Sequence, residues 1–145
     1  MPADASRFPL VEPPRGSPAE PLLERGVALE RAGQVAEAEA AYRESIAVAE
    51  RLGDDSTLAT ALRLLAVLRH HCNDPVDARR LAARSHRVAF AAGELILAGA
   101  ALNVLAGFSL ERGDLELAQR RYRMAIELGG ADADLKGRVE QNLGI

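Results

Sequence analysis

Three residues with metal-binding or nucleophilic side chains are adjacent in the chain: His70, His71 and Cys72. Imidazole nitrogens and a thiolate are common zinc ligands, and a cysteine with a suitable base can act as a nucleophile. Consecutive residues of a helix point in different directions, however, so the three side chains cannot all face one ion. His86 and Asp74 are the only further candidates, and nothing specifies a base and orienting group for Cys72. We therefore expect helix-end surface residues here, with neither a metal nor a catalytic role.

Other signatures of chemistry are missing from the sequence. It contains no glycine-rich phosphate-binding loop and no CxxC, HExxH or GxSxG motif. The paired carboxylates Asp54 and Asp55 are better explained as helix caps. We predict that the protein is not an enzyme and uses no cofactor.

The composition favours a helical domain. Hydrophobic residues make up 48% of the 145 residues but aromatic residues only 3%, so alanine and leucine supply most of the apolar surface. A net charge of −3 gives no electrostatic reason to bind nucleic acid, and no apolar run approaches the roughly 20 residues that span a membrane. One cysteine excludes an internal disulfide and suits a reducing compartment. We predict a cytoplasmic protein that binds neither nucleic acid nor membrane.

A pattern of small and aromatic residues recurs along the chain. Ala118, Tyr122 and Ala125 are spaced by four and three, so they share one face of a helix. The matching places are held by Ala38, Tyr42, Ser45 and by Ala78, Ala82, Ser85, at a constant period (118 − 78 = 40 and 78 − 38 = 40). One helix pair cannot bury its apolar stripe alone, whereas three stacked pairs form a continuous core.

Proline and glycine divide the chain. Four prolines and a glycine within residues 1–16 predict a disordered arm before the repeat domain of residues 17–145. The repeats are expected at about 18–53, 56–93 and 94–130, with a final helix at 132–143. Two interpretations of that helix stay open, since it either caps the stack or begins another repeat of a longer array.

These residues resemble a tetratricopeptide repeat over about residues 18 to 145. The small residue of the family's first helix is matched by Gly26, Ala66 and Ala106, and its glycine-aspartate turn by Gly113-Asp114. The long period is similar to the long-helix subtype of kinesin light chains and many bacterial regulators. The second copy departs from the family pattern, because Ala82 replaces the aromatic residue. The resemblance implies an all-α, right-handed α-solenoid of three antiparallel helix pairs plus a C-terminal helix.

The resemblance also implies a concave groove, lined by the first helix of each pair, that binds an extended or helical peptide. By register its partner-binding residues are Leu23, Val27, Arg63, Val67, His70, Asn103, Gly107 and Leu110. The Arg63 guanidinium suits a carboxylate, and the Asn103 amide suits a peptide backbone. The carboxylate clamp of the family's chaperone-tail binders is missing, because Leu23, Val27 and Leu64 occupy its basic and asparagine places.

We therefore predict a scaffold or adaptor that binds a partner protein. Bacterial proteins of this kind often carry such arrays beside a signalling domain, and the bias towards alanine, arginine and leucine suits a GC-rich bacterial genome. The alternative is a homo-oligomerisation module, which would use an unburied stripe of Leu135, Val139 and Leu143 on the end helix. Arginines of the fourth and sixth helices predict a basic convex face, for which ordinary solvation is the preferred interpretation.

Overall fold

Seven α-helices make up the part of the chain that the computed structural model describes, residues 17–129 and 133–143. They are α1 (Ala19–Arg31), α2 (Val35–Leu52), α3 (Asp55–His71), α4 (Pro75–Ala91), α5 (Leu95–Glu111), α6 (Leu115–Gly129) and α7 (Ala133–Leu143). No strand occurs among these residues, and the all-α prediction is confirmed. The arm predicted at residues 1–16 lies outside the described residues.

The helices pack as three consecutive pairs, α1 with α2, α3 with α4 and α5 with α6, and α7 packs against α5 and α6. The first helices also contact one another, α1 with α3, α3 with α5 and α5 with α7. The second helices α2, α4 and α6, all of them fully described, make no such contacts with each other. The predicted solenoid of repeats is confirmed, and its first helices lie on the inner side of the curve. None of the described helices has the length and apolar character that crossing a membrane requires.

In each pair, the turn between the two helices contains one residue with a left-handed backbone conformation. Gly33 and Gly113 end the first helices of pairs one and three with φ of 79° and 83°. Asn73 occupies the equivalent place in pair two with φ of 62°, and asparagine is the side chain that best tolerates this region after glycine. Asparagine in place of glycine at position 73 therefore leaves the geometry of the turn intact.

Aspartates cap the helices that follow three of the turns. The carboxylates of Asp54, Asp74 and Asp114 accept a hydrogen bond from the backbone N–H three residues on, at 3.1, 3.2 and 3.2 Å. Asp54 also accepts a hydrogen bond from the Ser17 hydroxyl, which ties the start of α1 to the start of α3. Burial alone would raise the pKa of Asp54, but the hydrogen bonds from Ser17 and Thr57 outweigh it and lower that pKa.

Within each pair, small residues let the two helices approach closely. A Cβ built on Gly26 would lie 2.6 Å from the ring of Tyr42, so only glycine fits opposite this buried tyrosine. The Ser45 hydroxyl donates to the Ala19 carbonyl oxygen at 2.8 Å. Ser85 repeats this bond in pair two, to the Ala59 carbonyl at 2.6 Å. The 40-residue period thus repeats specific contacts as well as hydrophobicity.

Pair two, which lacks the aromatic residue, fills its interior differently. Ala82 is fully buried where pairs one and three have Tyr42 and Tyr122. The neighbouring Leu81 packs against three of the four core clusters, including those that contain the two tyrosines. A bulky side chain one position earlier therefore supplies the volume that the missing ring would occupy.

Removing the Asp54 carboxylate should destabilise the protein. We expect Asp54→Ala to lower the free energy of unfolding by about 1–2 kcal/mol at neutral pH, because α3 loses its cap. The loss should be full above the ordinary aspartate pKa of about 3.9 and should disappear as the pH falls through the lowered pKa of the folded state. Urea unfolding at several pH values measures this. Asp55→Ala, at the exposed neighbour, is the control, and an equal loss in both variants would contradict the capping role.

Two glycine-to-alanine changes should have opposite effects. Gly26→Ala should destabilise the protein by about 1–3 kcal/mol, because the Tyr42 ring must shift out of a packed position. Gly107→Ala, in the interior of α5, should stabilise it by up to about 1 kcal/mol, since the new Cβ meets nothing closer than the Tyr122 hydroxyl at 3.8 Å. Thermal unfolding followed by circular dichroism compares the two variants, and stabilisation by Gly26→Ala would refute the close approach.

Candidate partner-binding groove

The eight predicted partner-binding residues all lie on the first helices. Leu23 and Val27 are on α1, Arg63, Val67 and His70 on α3, and Asn103, Gly107 and Leu110 on α5. None of the eight is buried, and Leu110 is the most exposed at 40%. Leu23 and Val27 pack partly against the cluster around Tyr42, so they present only part of their apolar surface. The structure thus places these residues on elements that face the inside of the curve.

Arg63 has an unusual environment in the middle of this face. Its side chain is partly buried, and it forms no ion pair or hydrogen bond with any residue that the structure describes. Burial lowers its pKa, and the positive charge of Arg138 on α7 lowers it further. The guanidinium stays charged, so a partly dehydrated cation lies here beside a second cation.

The other two polar positions predicted for the groove are engaged by neighbouring helices. The Asn103 side-chain oxygen accepts a hydrogen bond from the Asn142 amide of α7 at 3.3 Å. The His70 ring stacks on Phe108 of α5, with centroids 4.5 Å apart, and its Nε2 atom contacts the Glu111 carboxylate. His70 Nδ1 is buried and has no hydrogen-bond partner among the described residues. His70 therefore connects α3 to α5.

The neighbouring histidine and cysteine do not join His70 in a cluster. His71 and Cys72 are exposed, and the rings of His70 and His71 are tilted by 56° at a centroid distance of 6.2 Å. His86 lies apart on α4, with Nδ1 3.3 Å from the Ala98 carbonyl oxygen. Within residues 17–129 and 133–143, no three histidine, cysteine or acidic side chains form a group that could hold a metal ion.

Comparison with known proteins agrees with the packing. Residues 18–89, the first two helix pairs, match the family model of the tetratricopeptide repeat. These residues are therefore similar to tetratricopeptide repeats. The family is a non-catalytic repeat scaffold, and its members are in general protein–protein interaction modules. No curated protein matches the chain. Beyond the matched residues, α5 and α6 pack as a third pair in the same way as the first two.

A network of charges connects the first two helix pairs, and the 40-residue period does not predict it. Arg69, near the end of α3, lies 3.1 Å from Glu39 of α2, 2.8 Å from Asp74 and 3.4 Å from Asp77 of α4. Arg43 of α2 also lies 3.3 Å from Glu39. The hydrogen bond to Asp74 and the nearby carboxylates raise the pKa of Arg69. Five charged residues, from α2, α3, α4 and the turn before α4, meet here, and no periodic pattern in the sequence predicts their contacts.

The outer arginines are only partly free to form a basic face. Arg84 of α4 pairs with Glu50 of α2. Arg121 of α6 turns towards α5, where it donates to the Ser109 hydroxyl at 2.5 Å. Arg80 and Arg87 are exposed. Two of the arginines expected on the convex face are therefore engaged, Arg84 by the neighbouring pair and Arg121 by the first helix of its own pair.

The end helix does not expose the whole apolar stripe that the oligomerisation alternative needs. Val139 is fully buried in the core cluster that contains Tyr122 and Leu105. The side chains of Leu135 and Leu143 lie outside the described residues. Val139 is thus packed against its own chain and cannot contribute to an exposed apolar stripe.

Arg63 should lower the stability of the repeat domain. We expect Arg63→Met to raise the unfolding midpoint by about 2–4 °C, because it removes a partly buried cation and its repulsion from Arg138. Arg87→Met, the same change at an exposed site on α4, should leave the midpoint within about 1 °C. Differential scanning calorimetry measures both variants. A lower midpoint for Arg63→Met would show that the guanidinium stabilises the fold.

Proposed function

We propose that the inner face of α1, α3 and α5 binds a segment of a partner protein and that Arg63 binds a carboxylate of that segment. The observation that carries the proposal is the partly buried Arg63 guanidinium, which contacts no acid among the described residues. A guanidinium forms two parallel hydrogen bonds with a carboxylate, and such a pair is stronger in a partly dehydrated site than in water. A bound acidic group would also offset the repulsion between Arg63 and Arg138.

Apolar side chains around Arg63 suggest the rest of the ligand. Leu23, Val27 and Val67 are partly exposed on the same helices, and Leu110 is 40% exposed at the end of α5. A segment that combines apolar residues with one acidic side chain or a terminal carboxylate fits this arrangement. The Asn103 amide can bond to the segment's backbone in exchange for its bond to Asn142.

In this proposal the protein is a scaffold or adaptor. The family match supports a protein-binding role, and the 40-residue period favours the long-helix subtype. We extend the proposal to a cytoplasmic bacterial protein in which these repeats are the regulatory part of a signalling system. The apolar residues Leu23, Val27 and Leu64, in the places of a carboxylate clamp, argue that its ligands differ from chaperone tails.

Peptide arrays can test the role of Arg63 directly. The probe is a set of ten-residue peptides with varied apolar residues, each made with a central glutamate and again with glutamine. We expect the glutamate member of bound pairs to bind about ten times more tightly, and Arg63→Gln to remove that preference. Arg87→Gln, an equal change of charge on α4, should keep it.

Circular dichroism should show that both variants are as helical as the parent protein. Retention of the glutamate preference by Arg63→Gln would overturn the proposal, and so would its equal loss in Arg87→Gln. The first result would move the carboxylate site elsewhere, and the second would reduce the preference to a general effect of net charge.

A further inference from the structure

On the convex side of the stack, ion pairs join the second helices of the first two pairs. Arg43 of α2 lies 3.9 Å from Asp77 of α4. Seven residues later on both helices, Glu50 of α2 pairs with Arg84 of α4. Opposite charges therefore bridge the crevice between α2 and α4 at two levels.

The next crevice, between α4 and α6, has apolar residues at all four corresponding places. By the 40-residue period, the places of Arg43, Glu50, Asp77 and Arg84 are held by Ala83, Phe90, Leu117 and Met124. We call these four residues the outer crevice. Phe90 is 56% exposed and Met124 is 47% exposed. Two bridging ion pairs are thus replaced here by apolar side chains that stay open to solvent.

The helical spacing shows that the two walls of the outer crevice face each other. Ala83, His86 and Phe90 are spaced by three and four, so they share one face of α4. His86 Nδ1 lies 3.3 Å from the Ala98 carbonyl oxygen of α5, so this face is turned towards pair three. The His86 ring also lies beside the Phe90 ring, with centroids 5.9 Å apart. On α6, Met124 holds the place by which α4 reaches back to α2.

The surroundings of the outer crevice are basic. The helix α4 carries four arginines and one aspartate, and α6 carries three arginines and two glutamates, whereas α2 carries four glutamates and two arginines. Arg79 and Arg120 lie one helical turn before Ala83 and Met124. Their side chains form no ion pair or hydrogen bond with any residue that the structure describes. An apolar centre therefore lies beside cations that have no acidic partner within the described part of the chain.

We propose that the outer crevice binds an acidic segment of a partner protein that carries two bulky apolar side chains among its acids. One apolar side chain contacts Phe90 and Met124, and the other contacts Ala83 and Leu117. These two contact places are seven residues apart on each helix, or about 10 Å along the axis. The acids pair with the arginines, while the apolar side chains cover surface that water now reaches. The site is on the convex side and does not depend on Arg63.

Other segments of this chain match the outer crevice less well. Residues 1–16 carry two acids and two arginines, so they have no excess of negative charge. The outer side of α2 in a second copy is acidic, but Ala36, Ala40 and Ala47 are its exposed apolar residues between the ends of the helix. A methyl group is too small to fill the space between Phe90 and Met124. Charge and size together favour a segment of a different protein.

Labelled twelve-residue peptides are the probe, each with six glutamates and two leucines. The leucines are seven residues apart in one peptide, for a helical ligand, and three apart in another, for an extended ligand. Matched peptides have serine in place of leucine. We expect at least one leucine peptide to bind the full chain about ten times more tightly than its serine counterpart, as measured by fluorescence anisotropy.

Phe90→Glu combined with Met124→Arg tests the outer crevice without changing the net charge. The double variant introduces the residue types that form the ion pair between α2 and α4. It should weaken binding of the leucine peptide at least tenfold, while circular dichroism shows unchanged helicity. Ala40→Glu combined with Ala47→Arg makes the same neutral exchange at exposed places on α2 and should keep the binding.

Arg79→Gln combined with Arg120→Gln tests the charges separately. Loss of the two cations should weaken binding about tenfold. Arg25→Gln combined with Arg51→Gln removes the same charge from exposed places in pair one and should weaken binding less than twofold. Arg63→Gln should leave it unchanged, so failure of this proposal can be distinguished from failure of the carboxylate site at Arg63.

Several results would overturn the proposal. They are no binding of any acidic peptide up to about 1 mM, equal binding of leucine and serine peptides, full binding by the Phe90→Glu, Met124→Arg variant, and equal weakening by the two pairs of glutamine variants. Loss of binding in Arg63→Gln would place the peptides in the groove instead.

Two further measurements assign the outer crevice to a different occupant if the peptides fail. A mass that rises with protein concentration in light scattering, and that Phe90→Glu with Met124→Arg abolishes, would identify a second copy. Binding of a single-stranded RNA oligonucleotide that the same variant abolishes would identify a nucleic acid. Either result would contradict a protein segment as the ligand.

Discussion

The close approach of the two helices in each pair is the constraint on which the rest of the structure depends. Gly26 lies directly against the Tyr42 ring, and the Ser45 hydroxyl reaches the backbone of α1. These contacts fix the rotation of α1 about its own axis. Once that rotation is fixed, the opposite side of the helix must face the inside of the curve. The packing of α1 against α2 therefore determines which side of α1 lines the candidate groove.

The core favours apolar side chains, whereas a binding face can use polar or charged ones, and α3 carries both kinds on its two sides. Leu62 and Leu65 are fully buried on one side of this helix. Arg63, between them in sequence, is partly buried and has no acidic partner within the described part of the chain. A domain selected only for stability would have no reason to place a cation there. A domain selected to bind would, because the charge is dehydrated and in position before the ligand arrives.

Much of the fold could be predicted from the sequence, because the packing of each pair repeats. Ala118, Tyr122 and Ala125 recur at a fixed period with the same physical role, and the turns between helices carry glycine, asparagine or aspartate for backbone reasons. Contacts between repeats are different. The stacking of His70 on Phe108 and the charges around Arg69 join residues that the period does not relate.

The sequence pattern also did not predict that Leu81 fills the space of the missing aromatic ring. Volume is a property of the packed interior, and a side chain one position away can supply it with no change in helical pattern. The same holds for the groove. Its residues could be assigned to a helix face from the period, but the hydrogen bond that Asn142 of α7 donates to Asn103 joins two residues that the period does not relate.

Contacts between helices are confined to neighbours along the stack and to consecutive first helices. No described element bridges the two ends. A pulling force applied to the termini would therefore be carried through one pair after another in series. The helix pairs should therefore unfold one at a time under force, and the protein should lengthen by one pair at each step. A partner bound across several pairs would hold them together and raise the force needed to unfold them.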